Sequence, residues 1–259
     1  MSNEPLIRLA VFAAVFCLMA GWEALRPARA LALGRWPRWG VNWAVAALDA
    51  ALVRLLFPAA AAGAAWDAQA MGWGLFNALD WAPWLEALIC IAALDFAIWF
   101  QHLLSHKIPI LWRVHRVHHA DRDVDVTTAI RFHPIEIALS MLFKIGLVYA
   151  LGAPALAVIL FEILLNGCAM FNHANISLPA RIEAALRWLL VTPDMHRIHH
   201  SVRREETDSN YGFNLSWWDR LFGTYRARAR GALRLGLPDW QTRDPARLGW
   251  TLLFPFLRR

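Results

Sequence analysis

The sequence predicts an all-α integral membrane protein, with about four to five transmembrane helices and a helical cap on the cytosolic face. Three observations carry that expectation. Hydrophobic residues make up 58% of the 259, against about 45–50% in soluble domains. Apolar runs near the length a spanning helix needs recur at residues 6–22, 41–63, 84–101, 135–151 and 154–171. The net charge of +6 is mostly arginine placed between those runs, which sets their orientation.

The first run has only Arg8 ahead of its apolar core and no small-residue cleavage site after it, so it reads as a retained helix rather than a signal peptide. Arg26, Arg29, Arg35 and Arg38 follow, with Pro27 and Pro37, and put residues 23–40 in the cytosol. Trp36, Trp39 and Trp43 suit the interfacial belt. The second run carries Asp49 and Arg54, both costly in lipid and expected to face protein. Residues 64–83 hold Asp67 and Asp80 but no Lys or Arg, which suits the outer side, and Trp66, Trp73 and Trp81 point to a segment lying along the membrane surface.

The third run returns to the cytosol and delivers His102 and His106 at its end. Asp95 lies two turns before His102 on the same face, as a carboxylate orienting an imidazole or as an ordinary interhelical hydrogen bond. Residues 107–131 are polar and basic. Pro134 then suits the first turn of a new helix and Glu136 its N-terminal dipole. The last two runs are split by Gly152-Ala153-Pro154 into an antiparallel hairpin, in which Lys144 and Glu162 should be internal or snorkelling.

The hairpin returns to the cytosolic side at Asn172-His173. Residues 179–190 alternate as an amphipathic helix, residues 203–208 form a charged loop, and 210–225 mix aromatic and polar groups as a cover for the site. The tail is basic, with an apolar surface-lying stretch at 250–257. Three units follow: N-terminal helices over 1–83, a catalytic unit over 84–225, and a membrane-associated tail over 226–259.

All ten histidines lie between residues 102 and 200. Eight fall into three boxes: His102-x-x-x-His106, His115-x-x-His118-His119 and His196-x-x-His199-His200. Residues i, i+3 and i+4 share a helix face, so each box presents imidazoles in one direction, as a metal site needs. A lone histidine in an apolar protein is usually a satisfied core residue; three clustered boxes are not explained that way. Eight to ten imidazoles also exceed what one ion uses, since a structural zinc takes about four ligands, and two ions fit better. Imidazole alone does not choose among iron, zinc, copper and nickel.

Several classes are excluded or disfavoured. The H-E-x-x-H pattern of zinc proteases fails, because Leu103, Arg116 and Arg197 stand where the glutamate would be. Cys17, Cys90 and Cys168 lie in apolar runs without C-x-x-C spacing, so neither a disulfide framework nor a thiolate site is expected. The arginines flank apolar segments, which argues against nucleic acid as a partner. No G-x-G-x-x-G or C-x-x-C-H motif is present, so any redox chemistry needs an external electron carrier.

The boxes, with WRVHRVHH (112–119), RFHPIE (131–136), Asn172-His173, TPDMHRIHHS (192–201) and NYGFNLSWWDRLFGTY (210–225), resemble the fatty acid hydroxylase/sterol desaturase superfamily of membrane histidine-box oxygenases, in particular its bacterial members. The likeness covers roughly residues 85–225. It implies a di-iron centre, with zinc as a substitute in preparations. His102, His106, His115, His118, His119, His196, His199 and His200 would be ligands, and His173 a ninth. His133 is left open between a ligand and a group behind the ligands, where Asp95, Asn172 and Glu136 are the other candidates. The resemblance further implies O2-dependent hydroxylation, or desaturation, of an unactivated C–H bond in a lipid that enters from the bilayer. Two electrons would come from a ferredoxin or a cytochrome with its reductase, and the location would be a bacterial inner membrane with the site at its cytosolic face. A membrane metal-binding protein without oxygenase activity is the alternative reading.

Overall fold

The computed structural model describes residues 3–79 and 81–257; Asp80, read as part of the outer segment, lies outside them. Among the described residues the regular structure is helical, with no extended strand, only the isolated bridges Leu190–Leu215 and Ser201–Leu235. Five stretches are long and apolar enough to cross a membrane: Glu4–Leu25, Arg35–Ala78, Pro83–Lys107, Pro134–Leu151 and Ala155–His173. With the lipid-type faces described below, they make this an integral membrane protein.

Helix α1 (Glu4–Leu25) and helix α2 (Arg35–Leu56) are joined by the arginine loop. The second span is displaced from the run at 41–63: it begins at Arg35, so Arg35 and Arg38, read as part of the loop over 23–40, lie in its first turns. The helix stops at Leu56, because Pro58 cannot continue the hydrogen-bond ladder. The alanine run restarts as α3 (Ala60–Met71), closed by Gly72 at φ +67. Ala61, Ala64, Ala65 and Ala68 are buried, the first three in one core with Cys90, Val158 and Phe161. This part of the expected surface segment is therefore a packed helix. Alanine allows the close approach, while Trp66 and Trp73 stay exposed.

Helix α4 (Pro83–Lys107) ends where Pro109 holds Ile108 extended, and α5 (Pro109–His119) starts at once in a new direction. Helix α6 (Pro134–Leu151) and helix α7 (Ala155–His173) form the expected hairpin. At its far end Gly152 and Gly74 bring two backbones together: a Cβ on Gly74 would fall 2.0 Å from the Gly152 nitrogen. Leu6, Leu9, Leu88, Leu139, Leu142, Leu160 and Leu164 are exposed along the outer faces of these helices, the lipid side of a membrane bundle.

Inside the bundle, Glu162 of α7 accepts from Lys144 of α6 and from Arg8 of α1, each at 2.7 Å. The expected internal placement of Lys144 and Glu162 is thus an ion cluster across three helices. Asp49 is buried as expected, but Arg54 is exposed rather than facing protein; the two do not pair, and Arg54 donates to the Pro58 carbonyl at 2.9 Å.

The cap sits on the end of the bundle that carries the arginine loop. Its clamp is Arg38, which donates to Asp121 at 2.6 and 2.7 Å, to Asp125 at 2.6 Å and to the Asp123 carbonyl. Ala32 and Leu33 backbone N–H groups donate to Asp123, and Glu23 accepts from the Val126 and Asn175 backbones. Burial pushes the Asp121 carboxyl up, but the charge and hydrogen bonds of Arg38 outweigh it and hold it below its usual range. Buried Arg131 donates to Val117 O, Asn42 Oδ1 and Pro245 O, tying α2, α5 and the tail together.

The cap adds α8 (Ala180–Leu186), α9 (Pro193–His199), α10 (Arg204–Thr207), α11 (Trp217–Leu221) and α12 (Leu248–Leu253). The tail does more than lie on a surface. Phe254 is fully buried against Val117 and Ala120, and Arg113 and Arg116 donate to the carbonyls of Pro255, Phe254 and Leu257. Leu253 and Phe256 keep their side chains exposed.

Candidate metal centre

Nine of the ten histidines converge at the junction of bundle and cap. They form two groups: His102, His106, His115, His119 and His199, and His118, His173, His196 and His200. In each group one ring nitrogen per residue lies within 4.8 Å of the others. Each group draws on three elements: α4, α5 and α9 for the first, α5, α7 and the end of α9 for the second.

The boxes do not each point one way, as helical spacing alone implies. Residues four apart stay together, so His115 and His119 join the first group and His196 and His200 the second. The histidine beside the closing one goes to the other group: His118 to the second, His199 to the first. Successive residues on a helix stand about 100° apart, and a box inserted between two sites feeds both. The groups adjoin, with ring centres 4.6 Å apart for His119 and His200 and 5.4 Å for His118 and His119.

Hydrogen bonds behind the rings fix which nitrogen faces inward. His102 Nδ1 donates to Tyr211 O at 2.6 Å, His199 Nδ1 to Ser209 O at 2.7 Å, and His115 Nδ1 to Glu136 Oε1 at 2.6 Å. In the second group His118 Nδ1 donates to Arg131 O at 3.1 Å and His173 Nδ1 to Ala169 O at 2.7 Å. With the proton on Nδ1, Nε2 keeps a lone pair. Yet His102 Nε2 lies 3.1 Å from His115 Nε2, and His118 Nε2 lies 3.1 Å from His173 Nε2. Two lone pairs at that distance repel unless a cation sits between them. Donors about 2.0–2.1 Å from one ion, at tetrahedral or octahedral angles, stand about 2.9–3.4 Å apart. The other close Nε2 pairs, His119–His115 at 3.2 Å, His196–His173 at 3.0 Å and His200–His196 at 3.3 Å, fall in the same interval.

The rings are also held neutral. Burial, then the neighbouring imidazoles, push His118, His119, His196 and His200 well below the usual histidine range, and burial takes His199 to about 3. Neutral imidazole is the form that binds a metal. Ring nitrogens of His106, His196, His199 and His200 are buried without a hydrogen-bond partner. The residues present therefore fit two metal ions.

The remaining candidates separate. His133 lies outside both groups: its Nδ1 caps α6 by accepting from the Ile135 N–H, and its Nε2 meets Leu252 O at 3.1 Å. Glu136 is the carboxylate on a box histidine. Asp95, weighed for that place, instead accepts from Trp218 Nε1 at 2.7 Å and the Leu215 N–H at 3.4 Å; among the described residues no hydrogen bond joins it to an imidazole. It takes the interhelical role, holding the cover formed by 210–225. Asn172 donates to Phe213 O at 2.9 Å in the same cover.

Asp219, not singled out from the sequence, accepts from the Tyr211 and Gly212 N–H groups at 2.8 Å and from Trp99. It sets the carbonyl on which His102 rests. Its only sequence signal was its place within the W-W-D-R-L stretch.

A cavity of about 290 Å³ opens beside His102 and His115, between α2, α4, α6 and α7. Ile98, Ile130, Phe132, Ile137, Leu165 and Phe213 make most of its wall, with Asp49, Gln101, Glu136, Ser140 and Lys144 among them. A second, apolar hollow of about 190 Å³ shares Gln101, Ser105 and Glu136 with it and is lined by Leu104, Leu111, Leu139 and Phe143. Leu139 and Phe143 are exposed on the lipid-type face.

A family model for fatty acid hydroxylases matches residues 87–224, a span that holds every histidine of the two groups. The chain belongs to the fatty acid hydroxylase family. It is 32% identical over 146 residues to alkylglycerol monooxygenase of Xenopus tropicalis, covering 56% of this chain and 30% of that protein. It is 31% identical over 150 residues to the ornithine lipid hydroxylase OlsE of Rhizobium tropici, covering 56% and 43%. A cholesterol 25-hydroxylase-like protein of Danio rerio is 29% identical over 137 residues, covering 52% and 53%. The chain thus spans about half or less of the length of the curated relatives it matches. No solved structure matches it.

Proposed function

We propose that this protein is a membrane-bound di-iron oxygenase that hydroxylates an unactivated C–H bond of a lipid, using O2 and two electrons from an external ferredoxin or cytochrome. The observation that carries the reading is the pair of facing Nε2 lone pairs, His102–His115 and His118–His173, one in each histidine group and the first beside an apolar cavity. His102, His106, His115, His119 and His199 would hold one ion, and His118, His173, His196 and His200 the other. When bound, the iron pair supplies O2 activation and electron storage; zinc would occupy the site without either.

The chain's own groups do the rest. Carbonyls of Tyr211, Ser209, Arg131 and Ala169 hold the Nδ1 protons and aim the Nε2 atoms inward. Glu136 does so for His115 and, as a carboxylate, raises its basicity. Ile98, Ile137, Leu165 and Phe213 keep water from the reacting carbon. The hollow bounded by Leu139 and Phe143 offers a lateral route from lipid. Hydroxylation is favoured over desaturation because the relatives' names describe a monooxygenase and hydroxylases, acting on alkylglycerols, ornithine lipid and cholesterol. The arginine loop packs on the same end as the histidines, which by the positive-inside rule supports a cytosolic site, in a bacterial inner membrane.

Comparative lipidomics of cells with and without the gene tests this. A lipid heavier by one oxygen, present only with the gene, is the expected result. Metal analysis and O2 consumption of the purified protein separate it from a non-catalytic metal binder, which would load metal and consume no O2.

A further inference from the structure

The cavity beside His102 and His115 is apolar over most of its wall, yet α2 places an acid in it. Asp49 is only 7% exposed, and its Oδ1 is enclosed without a hydrogen-bond partner. The neighbouring polar side chains have partners, except that Glu136 Oε2, like Asp49 Oδ1, is enclosed without one among the described residues. Ser140 donates to Gln101 at 3.2 Å, Lys144 donates to Glu162 at 2.7 Å, and Glu136 Oε1 accepts from His115 Nδ1 at 2.6 Å. Arg54, five residues along α2, is exposed and donates to the Pro58 carbonyl, not to Asp49. No hydrogen bond or ion pair from a described residue reaches Asp49. A buried acid oxygen left unpaired is destabilising, and the side chain that carries it lines the space the substrate would fill.

We propose that Asp49 recognises a hydrogen-bond donor, a hydroxyl or an amine, carried by an otherwise apolar lipid substrate. The inference rests on the hydroxylase reading of the cavity and names its substrate class. A hydroxyl or amine supplies the partner Asp49 lacks. A carboxylate at that position would meet Asp49 and Glu136, while Lys144, already paired with Glu162, offers it little. A plain alkyl chain would leave the acid unanswered. The anchored donor also determines which carbon lies at the histidine centre, so Asp49 is a positioning residue for the site of attack.

The test is binding to the purified full-length protein in detergent, read by native mass spectrometry with competing probes of equal chain length: a primary alcohol, a primary amine, an alkane and a fatty acid. The alcohol or the amine should bind about 10-fold or more tighter than the alkane and the acid. Asp49→Leu should erase that preference. Asp49→Asn, which keeps size and folding, should retain any preference for the alcohol and weaken that for the amine. The wild-type ranking needs no variant. Equal binding of alkane and alcohol, tighter binding of the acid, or a preference that survives Asp49→Leu overturns the proposal. Binding consumes no O2, so the two readings fail separately. Donor-selective binding without an oxygenated product sinks the hydroxylase reading alone; an oxygenated product without donor selectivity sinks this one alone.

Discussion

Glu136 Oε1 stands 2.6 Å from His115 Nδ1, and the same carboxylate lines the cavity between α2 and α6. One side chain therefore joins the cavity to the imidazole whose Nε2 faces the first histidine group. Its position follows from the start of α6: Pro134 opens the helix and His133 caps it, so the first turn carries Glu136 to α5.

Glu136→Gln keeps the shape but gives up the charge behind His115. Metal affinity or turnover should fall about 10–100-fold, as for other groups behind a ligating imidazole. Asp95→Asn should leave metal affinity close to wild type, because Asp95 holds Trp218 and Leu215 instead. Metal titrations of both variants check this; a larger loss of affinity for Asp95→Asn than for Glu136→Gln would reverse the assignment.

Arg38 answers Asp121 and Asp125 with every group buried. Arg38→Met would leave carboxylates without a counter-charge, at a cost of about 3–5 kcal/mol. Arg38→Lys should recover only part, since an ammonium cannot reproduce the fork that reaches both acids. Thermal unfolding in detergent should rank wild type above Lys above Met. Equal midpoints would show that the clamp contributes nothing.

The helical bundle was readable because its signals are local: apolar length, arginine placement and the Gly152-Ala153-Pro154 break each act within a few residues. The break at Pro58 was readable in principle but was masked by the alanine run, whose hydropathy continues through it. At the centre, the histidines announced themselves by type and spacing. Their division into two groups did not, because it depends on α4, α7 and α9 arriving on opposite sides of α5. The backbone carbonyls of Tyr211, Ser209 and Arg131 leave no mark in a sequence, nor does the choice of Glu136 over Asp95. Both carboxylates sat at plausible spacing, and only the packing of residues 210–225 on α4 decided between them.

Acid should destabilise the metal-free protein. In the unfolded chain each histidine titrates near 6.5. In the folded protein burial and neighbouring imidazoles keep His118, His119, His196 and His200 well below that, and burial holds His199 to about 3. Between those values the unfolded state binds protons that the folded state refuses, so stability is full above about 6.5 and is lost as pH falls toward about 3. Asp121, depressed by Arg38, adds a loss only below its unfolded value of about 3.9. The unfolding midpoint of chelator-treated protein should therefore drop with acidification just below about 6.5. A flat midpoint there would mean that the imidazoles are not buried and neutral.

The arginine loop and the charged loop after the third box should share one side of the membrane. Arg29 and Glu205 are exposed on the cap end, and Gln69 is exposed on α3, in the stretch whose lack of Lys and Arg suits the outer side. With Cys17, Cys90 and Cys168 replaced, single cysteines at positions 29 and 205 should label together from the cytosol and one at 69 from the other face. Joint labelling of 29 and 69 would overturn the span order.

The sharpest expectation concerns His119 and His200, which look equivalent in sequence as the closing residues of matching boxes. The structure makes them unequal. His119 belongs to a group of five and His200 to a group of four. His119→Ala leaves His102, His106, His115 and His199, the about four donors that hold a metal outright. His200→Ala leaves His118, His173 and His196, about three, with an open position. Dialysis of metal-loaded protein against a weak chelator should leave about two ions per chain in wild type, nearly two in His119→Ala and about one in His200→Ala. Oxygenation should fail in His200→Ala, where one ion is gone, and be impaired in His119→Ala, where both ions stay but the potential of one is altered. Equal metal loss in the two variants would show that the nine imidazoles act as one pooled site, and full retention in both would remove the histidines from the chemistry altogether.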